Sequence, residues 1–284
     1  MYKRLVIIVL AAGAFGCRVS RTTRIAKATV PPPRVASVDD LIAAINKQSA
    51  AVHALSATVN LEPSTGSVYS GVIKQYHDVR GYILFQRPDS IRMIGQAPVV
   101  RTDIFDMASA GPQFQLYVPL QNKFYVGNSS VTSHAANSLE KLRPQHIVDA
   151  LFLRPIDPRK ESYFREDVDE DAHQDYVIGA LEYLKPGLAD LQRKIWFNRS
   201  DLEIFRVQFY GPGGEYLEDV HYSDYEDFGG IRYPSRITVN RPEEGYSLAI
   251  AFLKAVFNQP IPPTKFSLRR PQNAQLIDLS SGQS

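Results

Sequence analysis

The apolar residues of this chain repeat every three or four positions from Leu41 to Leu55, and every second position almost everywhere after Ala54. A 3.6-residue period is that of a helix and a period of two that of a strand. The change therefore predicts one helix followed by a long series of strands. Ser37 is a good N-cap, and Asp39 and Asp40 fall in the first turn, where the helix dipole favours them. Leu41, Ile45, Gln48, Val52 and Leu55 follow at spacings of four, three, four and three, with Ile42 beside them, which predicts a helix of about fifteen residues with one apolar stripe. Strands are then read at residues 56–61, 81–85, 90–95 and 113–118, and later at 176–184, 193–198 and 204–210, among others. Turn residues such as Ala110-Gly111-Pro112 and Gly211-Pro212-Gly213-Gly214 separate them. A second helix is expected at 144–152, where Pro144 suits the first turn and Ile147, Val148, Leu151 and Phe152 share a face. About eleven consecutive strands with two helices exclude a parallel α/β fold, because the helical crossovers are missing. The expectation is a mainly β (α+β) fold: an open antiparallel sheet curled into a partial barrel, with helices covering its concave side or mouth. Residues 268–284, rich in Pro, Gln, Ser and Asn, are expected to be an irregular tail.

The first residues carry a different signal. Lys3 and Arg4 precede an apolar run over 5–12 and the small pair Gly13-Ala14. A run this short cannot cross a hydrocarbon core that needs about twenty residues, and residues 1–16 read as a secretory signal. Ala14-Phe15-Gly16-Cys17 resembles the bacterial lipobox, with Ala14 where Leu is more usual, and Cys17 is the only cysteine in the chain. The resemblance implies that the Cys17 thiol is diacylated and that the signal is cut before it. An ordinary signal peptide with an incidental cysteine is the alternative. Residues 17–36 are then a lipid-anchored, proline-rich tether. Pro31-Pro32-Pro33 favours an extended polyproline form, and Arg18, Arg21, Arg24 and Lys27 lie where anionic headgroups would be. Arg18 follows the cysteine where inner-membrane retention resembles an Asp. The expected destination is therefore the outer membrane, facing the periplasm.

Composition narrows the function classes. Hydrophobic content of 44% with 22% charged residues is that of a globular chain,. A net charge of +2 without basic clusters gives no argument for nucleic acid,. Around Asp167, Asp169 and Asp171 the acidic residues alternate, but the sixth and twelfth positions of a calcium loop hold Ala172 and Ile178,. The histidines are scattered, and the Gly211–Gly214 turn lacks the Lys-Ser/Thr of a phosphate loop. No metal and no cofactor are expected. Asp219, His221 and Asp224 near Ser223 hint at a catalytic triad, but they lie along one alternating strand, and a non-enzyme is expected.

The order of features resembles that of the LolA/LolB-like superfamily of bacterial envelope proteins that sort lipoproteins to the outer membrane. The helix over 39–55 runs into a strand. Gln86-Arg87-Pro88-Asp89-Ser90-Ile91-Arg92 resembles the family's early turn, and Phe114-Gln115-Leu116-Tyr117-Val118-Pro119 leading to Tyr125-Val126-Gly127 resembles its middle hairpin. Tyr222-Ser223-Asp224-Tyr225 with Phe228-Gly229-Gly230-Ile231-Arg232-Tyr233-Pro234 resembles its late one. The likeness covers about 38–267, so residues 37–267 are taken as one LolA/LolB-like domain. It implies an apolar barrel interior that accepts acyl chains of a lipid or lipoprotein. It also implies an exposed apolar loop for membrane contact, whose nearest counterpart is Ala97, Pro98, Val99 and Val100. A plain hairpin with Val99 or Val100 turned into the core is the competing reading of that loop. The implied partners are the membrane, through N-terminal acyl chains, and acyl chains of lipid or lipoprotein, with an envelope protein possible as a further partner. The alternative function is a structural lipoprotein that docks into an envelope complex with its barrel filled by side chains.

Overall fold

A computed structural model describes residues 32–67, 72–75, 79–128, 144–170, 173–185 and 187–279. The signal segment, Cys17 and most of the tether lie outside the described residues. Residues 33–284 make up one unit.

Helix α1 spans Val38–Ala51 and begins at the expected N-cap, which proves to be one half of a capping box: Ser37 Oγ accepts from Asp40 N and the Asp40 carboxylate accepts from Ser37 N. It ends earlier than its apolar period predicts: Val52 is extended and Leu55 belongs to the following strand. Side chains from elsewhere take the last carbonyls of the helix and so fix that end. Arg87 donates to Ser49 O and Val52 O, and Asn258 Nδ2 donates to Ala51 O at 2.8 Å. Asn258 Oδ1 also accepts from His53 N, which turns the chain into the first strand.

Fifteen strands follow among the described residues, against about eleven expected. The first is β1 (Ala54–Ser67), followed by β2 (Val72–Gln75), β3 (Val79–Gln86), β4 (Ser90–Gln96), β5 (Asp103–Ala110), β6 (Gln113–Val118) and β7 (Lys123–Asn128). Helix α2 (Pro144–Leu151) interrupts the series. It is followed by β8 (Glu161–Glu170), β9 (His173–Lys185), β10 (Leu188–Asn198), β11 (Ile204–Tyr210), β12 (Tyr216–Asp227), β13 (Arg232–Arg241), β14 (Tyr246–Phe257) and β15 (Gln275–Asp278). They form one sheet in the order β15-β7-β6-β5-β4-β3-β1-β14-β13-β12-β11-β10-β9-β8, with β2 paired to β1 off that path. All pairs are antiparallel except β15 with β7.

That exception corrects the expectation of a wholly irregular tail. Strand β7 would otherwise end the sheet with unpaired amides and carbonyls, which favour a further strand. Gln275 N donates to Asn122 O and Leu279 N to Val126 O, and Ile277 and Leu279 pack on the core. Four residues are too few to show alternation, so the sequence pattern did not reveal this strand.

The sheet is strongly curled, and α1 measures the curl. Just before the helix, Ala36 O accepts from Arg165 on β8. At its other end the helix is held by Arg87, in the β3–β4 turn, and by Asn258, just after β14. Seven strand steps separate β8 from β1, about 34 Å along the sheet, yet a fourteen-residue helix is only about 21 Å long,. The helix is thus a chord across the mouth at one end. Helix α2 touches both β5 and β13, which lie on opposite arms of the curl. One continuous apolar core joins the inward residues of the sheet to Leu41, Ile42 and Ile45 of α1 and to Ile147, Val148 and Leu151 of α2.

Candidate functional site

Strand directions define two ends. The β3–β4, β10–β11 and β12–β13 turns and both ends of α1 lie at one; the β4–β5, β6–β7, β9–β10, β11–β12 and β13–β14 turns lie at the other, called here the hairpin end. Residues 97–100 connect β4 to β5 at the hairpin end. Ala97 N donates to Thr102 O, and Arg101 N donates to Ala97 O, which closes a tight loop. Val99 is 90% and Val100 69% exposed, so neither turns into the core. Three more exposed apolar groups sit at the same end: Leu120 in the β6–β7 turn, Tyr183 and Leu184 on β9, and Leu188 opening β10.

Both helices are fastened at their C-terminal ends by donors from the sheet. Arg87 serves α1 as described. For α2, Tyr222 Oη donates to Ala150 O at 2.9 Å and Tyr233 Oη to Leu151 O at 2.5 Å. Burial pushes both phenols above their usual range, so they remain donors at any physiological pH,. Asn46 of α1 holds the chain five residues beyond α2, donating to Ile156 O and accepting from Ile156 N. Beneath them the ring of Phe152 stacks on Phe85 with centroids 3.6 Å apart.

The inward face is not apolar throughout. On β10, β12 and β13 the buried positions run Phe197, Ile195, Arg193; Tyr222, Val220, Glu218; and Ile237, Val239, Arg241. Each strand places a charge in phase with its apolar residues, towards the hairpin end. Register sets Arg193 beside Phe209 of β11, and Phe209 beside Glu218. Arg241 Nη1 donates to Glu218 Oε2 at 2.7 Å, and Arg241 Nη2 donates to Glu244. Arg193 Nη2 donates to Glu161 and to Pro155 O. Arg193, Glu218 and Arg241 are 5%, 2% and 3% exposed.

These charges line a cavity of about 370 Å³ beside α2, which adds Asp149. Burial pushes the Glu218 carboxyl up to about 7, although Arg241 pulls the other way. Asp149 is likewise raised by burial, against Arg154 and Gln145. Two atoms in the row, Arg193 Nε and Glu218 Oε1, are buried without a hydrogen-bond partner. In the sequence this row shows as a charged residue two positions from an inward Ile or Val, on three strands.

Asp219 is gripped by Arg206 through two hydrogen bonds of 2.8 and 2.7 Å, with His221 Nε2 at 3.2 Å, while Ser223 donates to Asp224. Burial opposes ionisation of Asp219, but the bonds from His221 and Arg206 hold its carboxyl well below the usual range. The group is an ion-pair clamp between β11 and β12 rather than a relay to a serine. Asp167 is bound by Arg165, and Asp169 by Gln174. Among the described residues no cluster of three or more His, Cys, Asp or Glu is placed to hold a metal, and no helix is long and apolar enough to cross a membrane.

Solved structures, a LolA superfamily protein among them, have a similar architecture. The chain superposes on the LolA superfamily protein from Nitrosomonas europaea with a TM-score of 0.51 at 12% identity, over 80% of this chain and 97% of that one. An outer membrane lipoprotein-sorting protein domain from Vibrio parahaemolyticus gives 0.51 at 12% identity, over 80% and 94%. A DUF1329 family protein from Desulfovibrio piger gives 0.52 at 16% identity, over 80% and 95%. No protein-family model and no curated protein matches the chain by sequence. The likeness is one of fold: an open, curled β sheet closed by helices.

Proposed function

We propose that this chain is a non-enzymatic envelope lipoprotein, anchored in the outer membrane through acyl chains on Cys17 and facing the periplasm. Its curled sheet takes up acyl chains of a lipid or lipoprotein for transport or sorting. The observation that carries the reading is the way the interior is closed. The apolar inward residues of β1, β3 and β4 are covered by helices whose ends are held by a few side-chain donors, namely Arg87, Tyr222 and Tyr233. Releasing those hydrogen bonds, each worth about 1 kcal/mol net, is one part of the cost of moving a helix; the other part, the packing of its apolar face on the core, is offset where an alkyl chain takes the helix's place on the sheet. The lipoprotein-sorting domain with the same fold supports the same direction.

The exposed Val99 and Val100 supply the membrane contact. An apolar side chain at the tip of a tight loop enters the interface without disturbing the core, and delivers the cargo where the loop touches. The filled interior favours the second reading, a docking lipoprotein without cargo. Mass spectrometry of protein extracted gently from membranes separates the two. A co-purifying lipid or acylated peptide supports transport, and its consistent absence leaves docking. Anchoring has its own test: Cys17→Ser should abolish incorporation of labelled palmitate, and continued labelling removes the anchor from the proposal.

A further inference from the structure

The cavity beside α2 differs in chemistry from everything around it. Four basic and four acidic side chains line it, so its formal charge is balanced, and a ligand bearing only one sign would meet as much repulsion as attraction,. Arg193 and Glu218 are each more than nine-tenths buried, and each keeps one polar atom without a partner. Leaving such atoms unpaired is costly, so they mark where hydrogen-bond partners belong. The two differ in need: Arg193 Nε requires an acceptor and Glu218 Oε1 requires a donor. Phe209 lies between them in the row, putting their backbones about 10 Å apart across two strand steps,. Lys160, exposed, and Arg154, mostly exposed and bound to Asp149, extend the basic side. Glu182, also exposed, extends the acidic side.

We propose that this cavity binds the zwitterionic headgroup of an amine-bearing phospholipid: its phosphate on Arg193 with Lys160 and Arg154, its ammonium on Glu218. The proposal rests on the lipid-handling reading and names the polar part of the cargo. Position agrees with it. The cavity lies towards the hairpin end, the end that carries the exposed Val99, Val100, Leu120, Tyr183 and Leu184. A headgroup there has its alkyl chains beside the apolar core that α2 covers. Both a charge and its counter-charge are desolvated together, which a neutral pair tolerates far better than a lone ion does.

The test uses the full-length protein and calorimetric titration at about pH 8, above the value of about 7 to which burial pushes the Glu218 carboxyl, so that a carboxylate faces the ammonium. O-phosphoethanolamine should bind about tenfold more tightly than inorganic phosphate or ethanolamine alone, the worth of one added charge-assisted hydrogen bond. Glu218→Gln should erase the advantage of the zwitterion over phosphate, and Lys160→Gln, at an exposed position that folding does not need, should weaken both phosphate-bearing ligands. Equal affinity for phosphate and O-phosphoethanolamine, no heat with either, or affinities unchanged in both variants would each overturn the site. Vesicles of phosphatidylethanolamine and of phosphatidylglycerol distinguish the source. Preferential competition by the former assigns a lipid headgroup. Binding of free O-phosphoethanolamine without competition by vesicles overturns the lipid assignment. A fluorescent fatty acid titrated in parallel reports on the apolar interior alone. If it binds while O-phosphoethanolamine does not, the headgroup site fails and acyl-chain binding stands.

Discussion

On β1, β3 and β4 the inward positions are held by Val59, Leu61, Ile83, Phe85, Ile91 and Met93, all apolar and fully buried. On β10, β12 and β13 the same alternation runs from Ile195, Val220 and Val239 into Arg193, Glu218 and Arg241, which are almost equally buried. The backbone geometry of the two arms is alike, but the free energy of filling them is not. An apolar inward residue contributes roughly 1.5–3 kcal/mol by leaving water. A buried ion pair gains little or nothing over an apolar pair of the same shape, because desolvation offsets the attraction. Stability alone would therefore have filled the second arm as it filled the first. That it did not is the reason to look for ligand chemistry there rather than in the apolar arm.

The largest expected effect tests whether the charges of the second arm depend on one another. Arg241→Ala removes the partner of buried Glu218 and of Glu244, and should cost about 3–5 kcal/mol in urea unfolding,. Replacing both members, Arg241→Met with Glu218→Leu, should recover most of that loss. If the double variant is as unstable as the single one, the pair is needed for the fold and the contrast between the arms collapses. In the apolar arm no such rescue exists. Ile45→Ala, at a fully buried position of α1, should cost about 2–5 kcal/mol through the cavity it leaves,. An unchanged melting temperature would mean that α1 is not docked on the core.

A smaller effect appears as a pH dependence. In the folded chain Glu218 holds its proton up to about 7, well above its value in an unfolded chain. The folded state then binds more protons than the unfolded one, so this contribution is complete below the unfolded value near 4.5 and is lost as pH rises through 7,. Asp149 on α2 is shifted in the same direction by burial, and Arg193, Arg241 and Glu161 line the same cavity. Wild type should therefore lose stability relative to Glu218→Gln between pH 5 and pH 7.5. Parallel pH profiles for the two proteins would show that Glu218 is ionised throughout.

Much of this was open to reading from residues alone. The switch from a 3.6 to a 2.0 period located α1 and most strands, because half-buried antiparallel strands alternate cleanly. What escaped depended on partners distant in sequence. The end of α1 is set by Arg87 and Asn258, far along the chain, and the apolar stripe continuing through Val52 and Leu55 pointed to a longer helix. Strand β15 exists because β7 leaves an edge, which local pattern does not report. Arg193, Glu218 and Arg241 stand in phase with the inward residues of their strands, but alternation alone does not tell an inward charge from a strand end turning to solvent. Exposure of the Val99 loop was not legible: Ala97-Pro98-Val99-Val100 suits an exposed tip and a hairpin turned into the core alike, and only the folded β4–β5 connection separates the two.

The smallest expected change in stability, and the sharpest comparison of the two arms, comes from their exposed tips. Val99 caps the β4–β5 loop in the apolar arm, while Tyr183 and Leu184 lie near the β9–β10 hairpin in the charged one. At 90% exposure Val99 has no packing to lose, so Val99→Glu should alter stability by no more than about 0.5 kcal/mol,. A carboxylate nevertheless resists entry into a bilayer interface, so the same variant should slow transfer of bound lipid to liposomes. Tyr183→Glu supplies the paired measurement. If both variants slow transfer, the hairpin end meets the membrane as a whole; if only Val99→Glu does, contact is confined to the apolar arm. Unfolding of Val99→Glu would place Val99 in the core, and normal transfer by a folded Val99→Glu protein would remove the loop from delivery.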